Sequence, residues 1–213
     1  KDSARHRTFS ADGSRERWSI EQVLNLLLQR EITGTWAVVG HLFYERCEHC
    51  AVCPLRSWKG IFSSFNEAYG TAHPLWYGAD IVRKLTNCQP SQEIAFHGYS
   101  HKIFHEKTMS RSEAEIEIEE WIRLAKRFGV SPKSIVFPRD LPGHLDLFKP
   151  YGFNCYRAET ARPFLLRNRF FGRYLKTLGH LTGITPVRLH PFQFELHDGL
   201  LALYDSEHLF DFN

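Results

Sequence analysis

The stretch Glu93-Ile94-Ala95-Phe96-His97-Gly98-Tyr99-Ser100-His101 joins a short apolar run to two histidines four positions apart. The apolar run predicts a buried strand that ends at Phe96. If the chain leaves this strand in a helical turn, His97 and His101 project the same way and both imidazoles reach one point. That point would lie at the carboxyl end of a strand, where α/β folds place their chemistry.

Two neutral imidazoles and one carboxylate make a common catalytic site for zinc or iron, with one coordination position left for water. Asp12 is the candidate carboxylate, because it follows a predicted first strand at residues 8–10 and precedes Gly13, which permits a sharp exit. In a parallel sheet the first strand ends at the same edge as the strand before His97. The alternatives are an ordinary Asp-Gly turn and a solvated loop with two unrelated histidines.

The bulk composition limits the classes of protein that fit. The 213 residues suit one sizeable domain, with 43% hydrophobic and 24% charged residues, as in ordinary globular proteins. A net charge of +3 with scattered Lys and Arg argues against a nucleic-acid partner. No apolar run approaches the roughly 20 residues of a membrane span, and no secretory signal is visible. The odd count of five cysteines does not resemble a disulfide framework, so we expect a reducing, cytoplasmic setting.

Strand-like and helix-like segments alternate along the chain. We predict strands at residues 8–10, 35–39, 93–96, 134–137, 153–157 and 187–189. We predict helices at about residues 19–28, 77–85, 111–128 and 145–149. Ser19 with Gln22 resembles a capping box for the first helix, and Ser110 or Ser112 can cap the third. This alternation implies an α/β fold with a mostly parallel sheet, either a barrel or an open layer.

Two further features concern the layout of the domain. Residues 41–75 are rich in aromatics, Cys, Ser and Gly, and we predict a long insertion there within a single domain spanning residues 1–213. In the third helix, the predicted apolar face consists of Ile116, Trp121, Ile122 and Ala125.

The predicted insertion contains Cys47-x-x-Cys50-x-x-Cys53. Three thiols at this spacing can hold a structural zinc ion if a fourth ligand, such as His41 or Cys88, arrives from elsewhere. The alternatives are free thiols, a disulfide or an iron–sulfur cluster, although a cluster needs a fourth cysteine nearby.

Three other residues are candidates for contact with a substrate. His190 ends the predicted strand at residues 187–189, where it could donate a proton to a leaving group; a capped strand end is the alternative. Trp76 and Tyr77 could form an aromatic wall for a sugar, although such residues more often belong to the core.

Four segments, in order along the chain, carry a family resemblance. Residues 9–13 are Phe-Ser-Ala-Asp-Gly, residues 35–40 are Thr-Trp-Ala-Val-Val-Gly, residues 97–101 are His-Gly-Tyr-Ser-His and residues 189–190 are Leu-His. They resemble the Thr-Phe-Asp-Asp-Gly motif, the Ala-Thr-Phe-Phe-Val-Val-Gly strand, the His-x-x-x-His metal motif and the Leu-His of the polysaccharide deacetylase superfamily, the NodB-homology carbohydrate esterases. The resemblance covers most of the chain. It implies a distorted (β/α) barrel with about seven parallel strands.

Carried over by position, the resemblance makes Asp12, His97 and His101 the ligands of a divalent metal and His190 the general acid. Zinc is the first choice of ion, with iron, cobalt, nickel or manganese as alternatives. The implied reaction is hydrolysis of an acetamide on an N-acetylated sugar or polysaccharide, with water activated by the ion and the developing oxyanion stabilised by it. Some relatives act on cyclic amides instead.

The chain departs from the family pattern at two positions. The aspartate that usually takes the proton from water falls on Ala11, and the Arg-x-Pro segment that holds this base falls on residues 136–138, which are Val-Phe-Pro. Asp140 is the first candidate for a replacement base, and Arg139 is assigned to substrate binding. Alternatively, the ion alone acidifies the water.

Three functions therefore compete. The first is a metal-dependent amide hydrolase, a deacetylase acting on a C–N bond. The second is a catalytically impaired carbohydrate- or amide-binding protein on the same scaffold, with Ala11 marking the lost base. The third is an interaction module whose cysteine segment is stabilised by zinc.

Overall fold

A six-stranded sheet forms the centre of the protein, in a computed structural model that describes residues 10, 12–46, 77–158 and 195–204. The strands are β1 (Thr35–Val38), β2 (Glu93–Phe96), β3 (Ser134–Ile135), β4 (Cys155–Ala158), β5 (Glu195–His197) and β6 (Leu200–Tyr204). The helices are α1 (Ser14–Gln29), α2 (Ala79–Asn87) and α3 (Arg111–Arg127).

The strand order is β1-β2-β3-β4-β6-β5, and every pairing is parallel except that of β5 with β6. The prediction of an α/β fold with a mostly parallel sheet is therefore confirmed. Within the described residues the sheet has two edges, β1 and β5, so neither barrel closure nor a seventh strand is seen there. The predicted strands at 187–189 and, apart from Ser10, at 8–10 lie outside the described residues.

Helix α1 begins five residues before the position predicted for it. It starts at Ser14, and Gly13 precedes it with a φ of 73° in the left-handed region. Ser19, predicted as the cap, lies inside the helix and donates its hydroxyl to the carbonyl oxygen of Arg15 at 2.9 Å. The prediction was wrong because the first turn is polar, so it carries no apolar periodicity.

Helix α3 begins at the predicted residue, ends one residue before the predicted end, and is capped by Ser110, one of the two predicted caps. The hydroxyl of Ser110 accepts the main-chain N–H of Glu113 at 3.3 Å, and the Glu113 carboxylate accepts the N–H of Ser110 at 2.9 Å. One predicted core position is wrong, since Ile116 is 42% exposed. Ile118 and Leu124 are buried instead, because the sheet lies against the adjacent strip of the helix surface.

The sequence analysis missed the hairpin of β5 and β6. Asp198 and Gly199 join the two strands with φ angles of 51° and 76°, the left-handed pair that a tight two-residue hairpin turn requires. Leu200 and Ala202 on β6 are buried, and β6 pairs with β4 along its length. The Asp-Gly pair between alternating apolar residues was the available signal.

The elements after α3 are shorter than predicted. Strand β3 has two residues, although the N–H of Val136 still donates to the carbonyl of Phe96 at 2.9 Å. The helix predicted at 145–149 is a pair of 3₁₀ turns, Leu145–Leu147 and Lys149–Tyr151, separated by Phe148.

Aromatic side chains fill the space between the sheet and α3. The rings of Phe96, Phe104, Phe148 and Phe153 meet edge to face or tilted, and Trp121 donates its indole N–H to the carbonyl of Val38 at 2.8 Å. These contacts fix the carboxyl ends of β1 and β2 relative to the helix.

The start of the predicted insertion belongs to this core. Gly40–Phe43 forms a 3₁₀ turn, and its His41 is 1% exposed. The N–H groups of Gly40 and His41 donate to the carbonyls of Gly98 and Tyr99, so the chain after β1 stays paired with the chain after β2. Residues 47–75 of the predicted insertion lie outside the described residues. None of the helices in the described ranges is long and apolar enough to cross a membrane.

Candidate functional site

His97 and His101 lie together at the carboxyl end of β2. Their ring centroids are 4.9 Å apart, with an angle of 58° between the ring planes. The convergence was predicted, but the helical turn that was to produce it is absent from residues 97–101. Gly98 with a φ of 71° and His101 with a φ of 61° reverse the chain instead, so the two side chains return to the same side.

His97 is oriented by the neighbouring strand segment. Its Nδ1 atom lies 2.6 Å from the main-chain carbonyl oxygen of Val136, the residue that follows β3. A carbonyl can only accept, so Nδ1 carries the proton and Nε2 keeps its lone pair. Histidines that bind metal ions usually donate their other ring N–H in this way, which fixes both the tautomer and the orientation of the ring. The donor chemistry at His97 therefore fits a metal ligand.

The charge state of His97 also fits a metal ligand. Burial lowers the pKa of His97 below its ordinary value of 6.5; the Val136 carbonyl opposes this change, Arg157 adds to it, and Asp140 opposes it. The ring is therefore neutral at physiological pH, the form in which histidine binds an ion.

Glu117 of helix α3 holds the segment between the two histidines. Its Oε2 atom accepts the N–H groups of Tyr99 and Ser100, each at 2.8 Å, and its Oε1 atom accepts the hydroxyl of Ser100 in a short hydrogen bond. The side chain is 4% exposed, so this carboxylate is buried with three donors around it. Burying a carboxylate is costly unless such donors compensate it.

Asp140 pairs with Arg157 near His97. The guanidinium donates to Oδ1 of Asp140 through Nε at 3.1 Å and through a second, shorter contact from its terminal nitrogen. Both donors go to the same oxygen, so Oδ2 lies outside this pairing. Asp140 lies just after β3, and Arg157 lies on β4, the strand that pairs with β3. Arg157 lowers the pKa of His97, and Asp140 raises it. Arg139, with a φ of 59°, precedes Asp140 and is exposed.

Asp12 is exposed and forms part of the turn that leads into α1. Its Oδ1 atom accepts the N–H of Ser14 at 3.0 Å, and hydrogen bonds from Ser14 lower the pKa of Asp12. Among the described residues, no three His, Cys, Asp or Glu side chains form a group that could hold a metal ion. The structure thus brings His97 and His101 together without placing Asp12 beside them, and its role as third ligand stays a prediction.

The remaining predicted residues fall in three places. Tyr77 is 3% exposed and its ring lies 5.3 Å from that of His41, so it belongs to the core, which does not support contact with a substrate. His41, considered as a zinc ligand, is buried among tyrosine rings, and the thiol of Cys88 donates to main-chain carbonyls. Five predicted residues lie outside the described ranges: Cys47, Cys50, Cys53, Trp76 and His190.

Two residues of this site were missed by the sequence analysis. Glu117 could have been found, because it occupies a position on the apolar face of α3 between Ala114 and Trp121, where a charged residue is rarely buried without partners. Arg157 offered no local signal. It lies on β4, and only the pairing of strands brings it to Asp140.

Comparison with known proteins finds matches among solved structures alone. No family model matches the chain, and no curated protein sequence matches it. Among solved structures, the chain is similar to a de-N-acetylase from Aggregatibacter actinomycetemcomitans, with a TM-score of 0.47 and 14% sequence identity. The similarity covers 68% of this chain and 60% of that one. Because these values are low, the function proposed below depends on the geometry of the site and on the sequence motifs.

Proposed function

We propose that this chain is a metal-dependent amide hydrolase that removes N-acetyl groups from an N-acetylated sugar. The observation that carries the proposal is the pair of neighbouring imidazoles at the carboxyl end of β2, one of them neutral and held through Nδ1 by the Val136 carbonyl. Such a pair, in a His-x-x-x-His motif that resembles that of the deacetylases, has the donor chemistry of a zinc or iron site.

His97 and His101 would hold the ion, and Asp12 is the predicted third ligand. A divalent ion at this site would supply a Lewis acid that polarises the acetamide carbonyl and makes water more acidic. The protein's own contribution is to keep the His97 imidazole neutral and oriented before the ion arrives. Buried surroundings at His97 favour that state.

Asp140 is the proposed base in place of the aspartate missing at position 11. Its Oδ1 atom is engaged by Arg157, while Oδ2 lies outside that pairing and could take a proton from water. The guanidinium fixes the orientation of the carboxylate. His190 is proposed to return a proton to the departing amine, and Arg139 is proposed to contact the substrate.

The test is whether the purified chain hydrolyses a chitin oligosaccharide. Hydrolysis is measured as the release of acetate. We expect activity in protein loaded with zinc or cobalt, loss of activity on chelation, and recovery when the ion is restored. His97→Ala and His101→Ala should lose ion and activity together, whereas His105→Ala, four residues further along, should keep both. Hydrolysis that survives in the chelated His97→Ala/His101→Ala protein would exclude the proposal.

The second candidate is a sugar- or amide-binding protein without turnover, and Ala11 is the observation that favours it. It predicts that the wild-type chain binds the oligosaccharide with no release of acetate. Ala11→Asp would then produce measurable hydrolysis. If the wild-type chain already hydrolyses the substrate, this candidate is wrong.

A further inference from the structure

We infer that Glu117 is a positioning residue that prepares the His97–His101 pair for its ion before any ion binds. The inference rests on the proposed function for the identity of the ligand, but the contacts that carry it involve only the protein. Glu117 lies on helix α3, while the two histidines belong to the segment after β2.

The segment between the two histidines contains main-chain N–H groups that need hydrogen-bond acceptors. Residues 97–101 form no helix or strand, so the main-chain N–H groups of Tyr99 and Ser100 have no partner from regular secondary structure. Both residues are buried. A buried N–H group must find an acceptor, and a single atom, Oε2 of Glu117, accepts both at 2.8 Å.

The bonds to Glu117 also fix the direction of the main chain between the two histidines. Because one oxygen receives two consecutive N–H groups, the peptide planes on either side of Tyr99 are fixed relative to each other. Oε1 accepts the hydroxyl of Ser100, which fixes the rotation of the carboxylate as well. Gly98 is in the left-handed region. Together with this conformation, the three hydrogen bonds determine the direction in which the His97 and His101 side chains project from the main chain.

The third step concerns why glutamate is required. A Cβ atom added at Gly98 would lie 3.5 Å from Oε2 of Glu117, so the carboxylate packs directly on the turn. Glutamine has a similar shape, but its NH₂ group cannot accept a hydrogen bond. In one orientation of Glu117→Gln the NH₂ group faces the N–H groups of Tyr99 and Ser100, and both main-chain bonds are lost. In the other orientation the amide oxygen accepts these N–H groups, and the Ser100 hydroxyl must turn to accept from the NH₂ group. The neutral amide oxygen is a weaker acceptor than the carboxylate, so the turn is held less strongly in either orientation.

The experiment compares Glu117→Gln with the matched control Glu119→Gln. Glu119 lies on the same helix, is exposed, and accepts the hydroxyl of Tyr151 at 3.1 Å. Affinity for Co²⁺ is measured by competition with a chelator, together with the visible absorption spectrum, which reports the ligand geometry. We expect Glu117→Gln to bind Co²⁺ about tenfold more weakly with an altered spectrum, and the control to match wild type. Wild-type affinity and spectrum in Glu117→Gln would overturn the inference.

A second measurement does not depend on the ion. In chelated protein, hydrogen exchange of the Tyr99 and Ser100 amides should be slow in wild type and faster in Glu117→Gln, while core amides of α3 are unchanged. If wild type binds no ion, the proposed function fails, and this exchange pattern still decides whether Glu117 holds the turn. Unchanged exchange at both amides would overturn the inference. Should Glu117→Gln fail to fold, Ser100→Ala removes one of the three donors and is expected to show the same effects in weaker form.

Discussion

The Nδ1 atom of His97 donates to the carbonyl oxygen of Val136 across 2.6 Å, from the end of one strand to the end of its neighbour. The bond therefore depends on the parallel pairing of β2 with β3, in which Phe96 aligns with Ile135. A change in that register would move the carbonyl away from the ring. The tautomer of a candidate metal ligand is thus set by the sheet, not by a neighbouring side chain.

The first prediction concerns this tautomer. In chelated protein at neutral pH, His97 should be neutral with its proton on Nδ1, because the Val136 carbonyl accepts it and burial disfavours the charged ring. Long-range ¹H–¹⁵N correlation spectra identify the tautomer, and a pH titration gives the pKa, which should lie below the ordinary 6.5. An Nε2–H tautomer in the chelated protein would contradict the geometry described for His97.

The second prediction concerns stability and pH. The pKa of His97 in the folded protein lies below the ordinary value of 6.5, so the unfolded chain takes up the proton first as the pH falls. Its contribution to the free energy of unfolding is complete above the unfolded pKa and is lost as the pH falls through 6.5 toward the folded pKa. Urea unfolding of chelated protein between about pH 7.5 and about pH 5.5 should show a smaller loss of stability in His97→Gln than in wild type. Equal losses in the two proteins would count against a depressed pKa.

The sequence predicted the elements whose signals are local. Strand β2 is a short apolar run that ends in a histidine, and α3 combines a capping box at Ser110 with apolar residues at helical spacing. Helix α1 was placed late because it begins with a polar turn. The hairpin of β5 and β6 was missed because its signal, the Asp-Gly pair at residues 198–199, is a turn signal and not an apolar pattern. Patterns of apolar residues do not reveal either kind of boundary.

The candidate site also has one part that the local sequence predicted and another that only the complete fold brings together. The proximity of His97 and His101 was predicted from a helical turn that is absent. Positive φ angles at Gly98 and His101 bring the rings together instead, and the spacing alone does not reveal these angles. The pair of Asp140 and Arg157 joins residues 17 positions apart on different elements. Only the completed sheet brings those charges together, so no local pattern could have identified Arg157.

The third prediction concerns the contact between α3 and β1. Trp121 is fully buried and donates to the carbonyl of Val38 at 2.8 Å. Trp121→Phe removes this buried hydrogen bond and opens a small cavity, so we expect the free energy of unfolding to fall by about 1–3 kcal/mol. Chemical denaturation monitored by far-UV circular dichroism gives the value. The control Trp18→Phe changes a side chain that is 61% exposed on α1 and should stay within about 0.5 kcal/mol of wild type.

The fourth prediction concerns Asp140 and Arg157 as a unit. If Asp140 takes the proton from water and Arg157 orients it, Asp140→Asn and Arg157→Met should each lower kcat of the metal-loaded protein, Asp140→Asn by about 100-fold. The double variant should be no slower than Asp140→Asn alone, because Arg157 acts through the carboxylate that is already lost. Both effects should appear in kcat with little change in KM, measured by release of acetate.

The matched control for these single and double variants is Arg111→Met. Arg111 forms another Arg–Asp pair, with Asp146, and both of these residues are exposed. It should leave kcat unchanged, because Arg111 at the start of α3 has no part in the proposed chemistry. Multiplicative losses in the double variant would mean that Arg157 acts independently of Asp140. Full activity of Asp140→Asn would assign the activation of water to the ion alone, and Asp140 would then be a structural partner of Arg157 rather than a base.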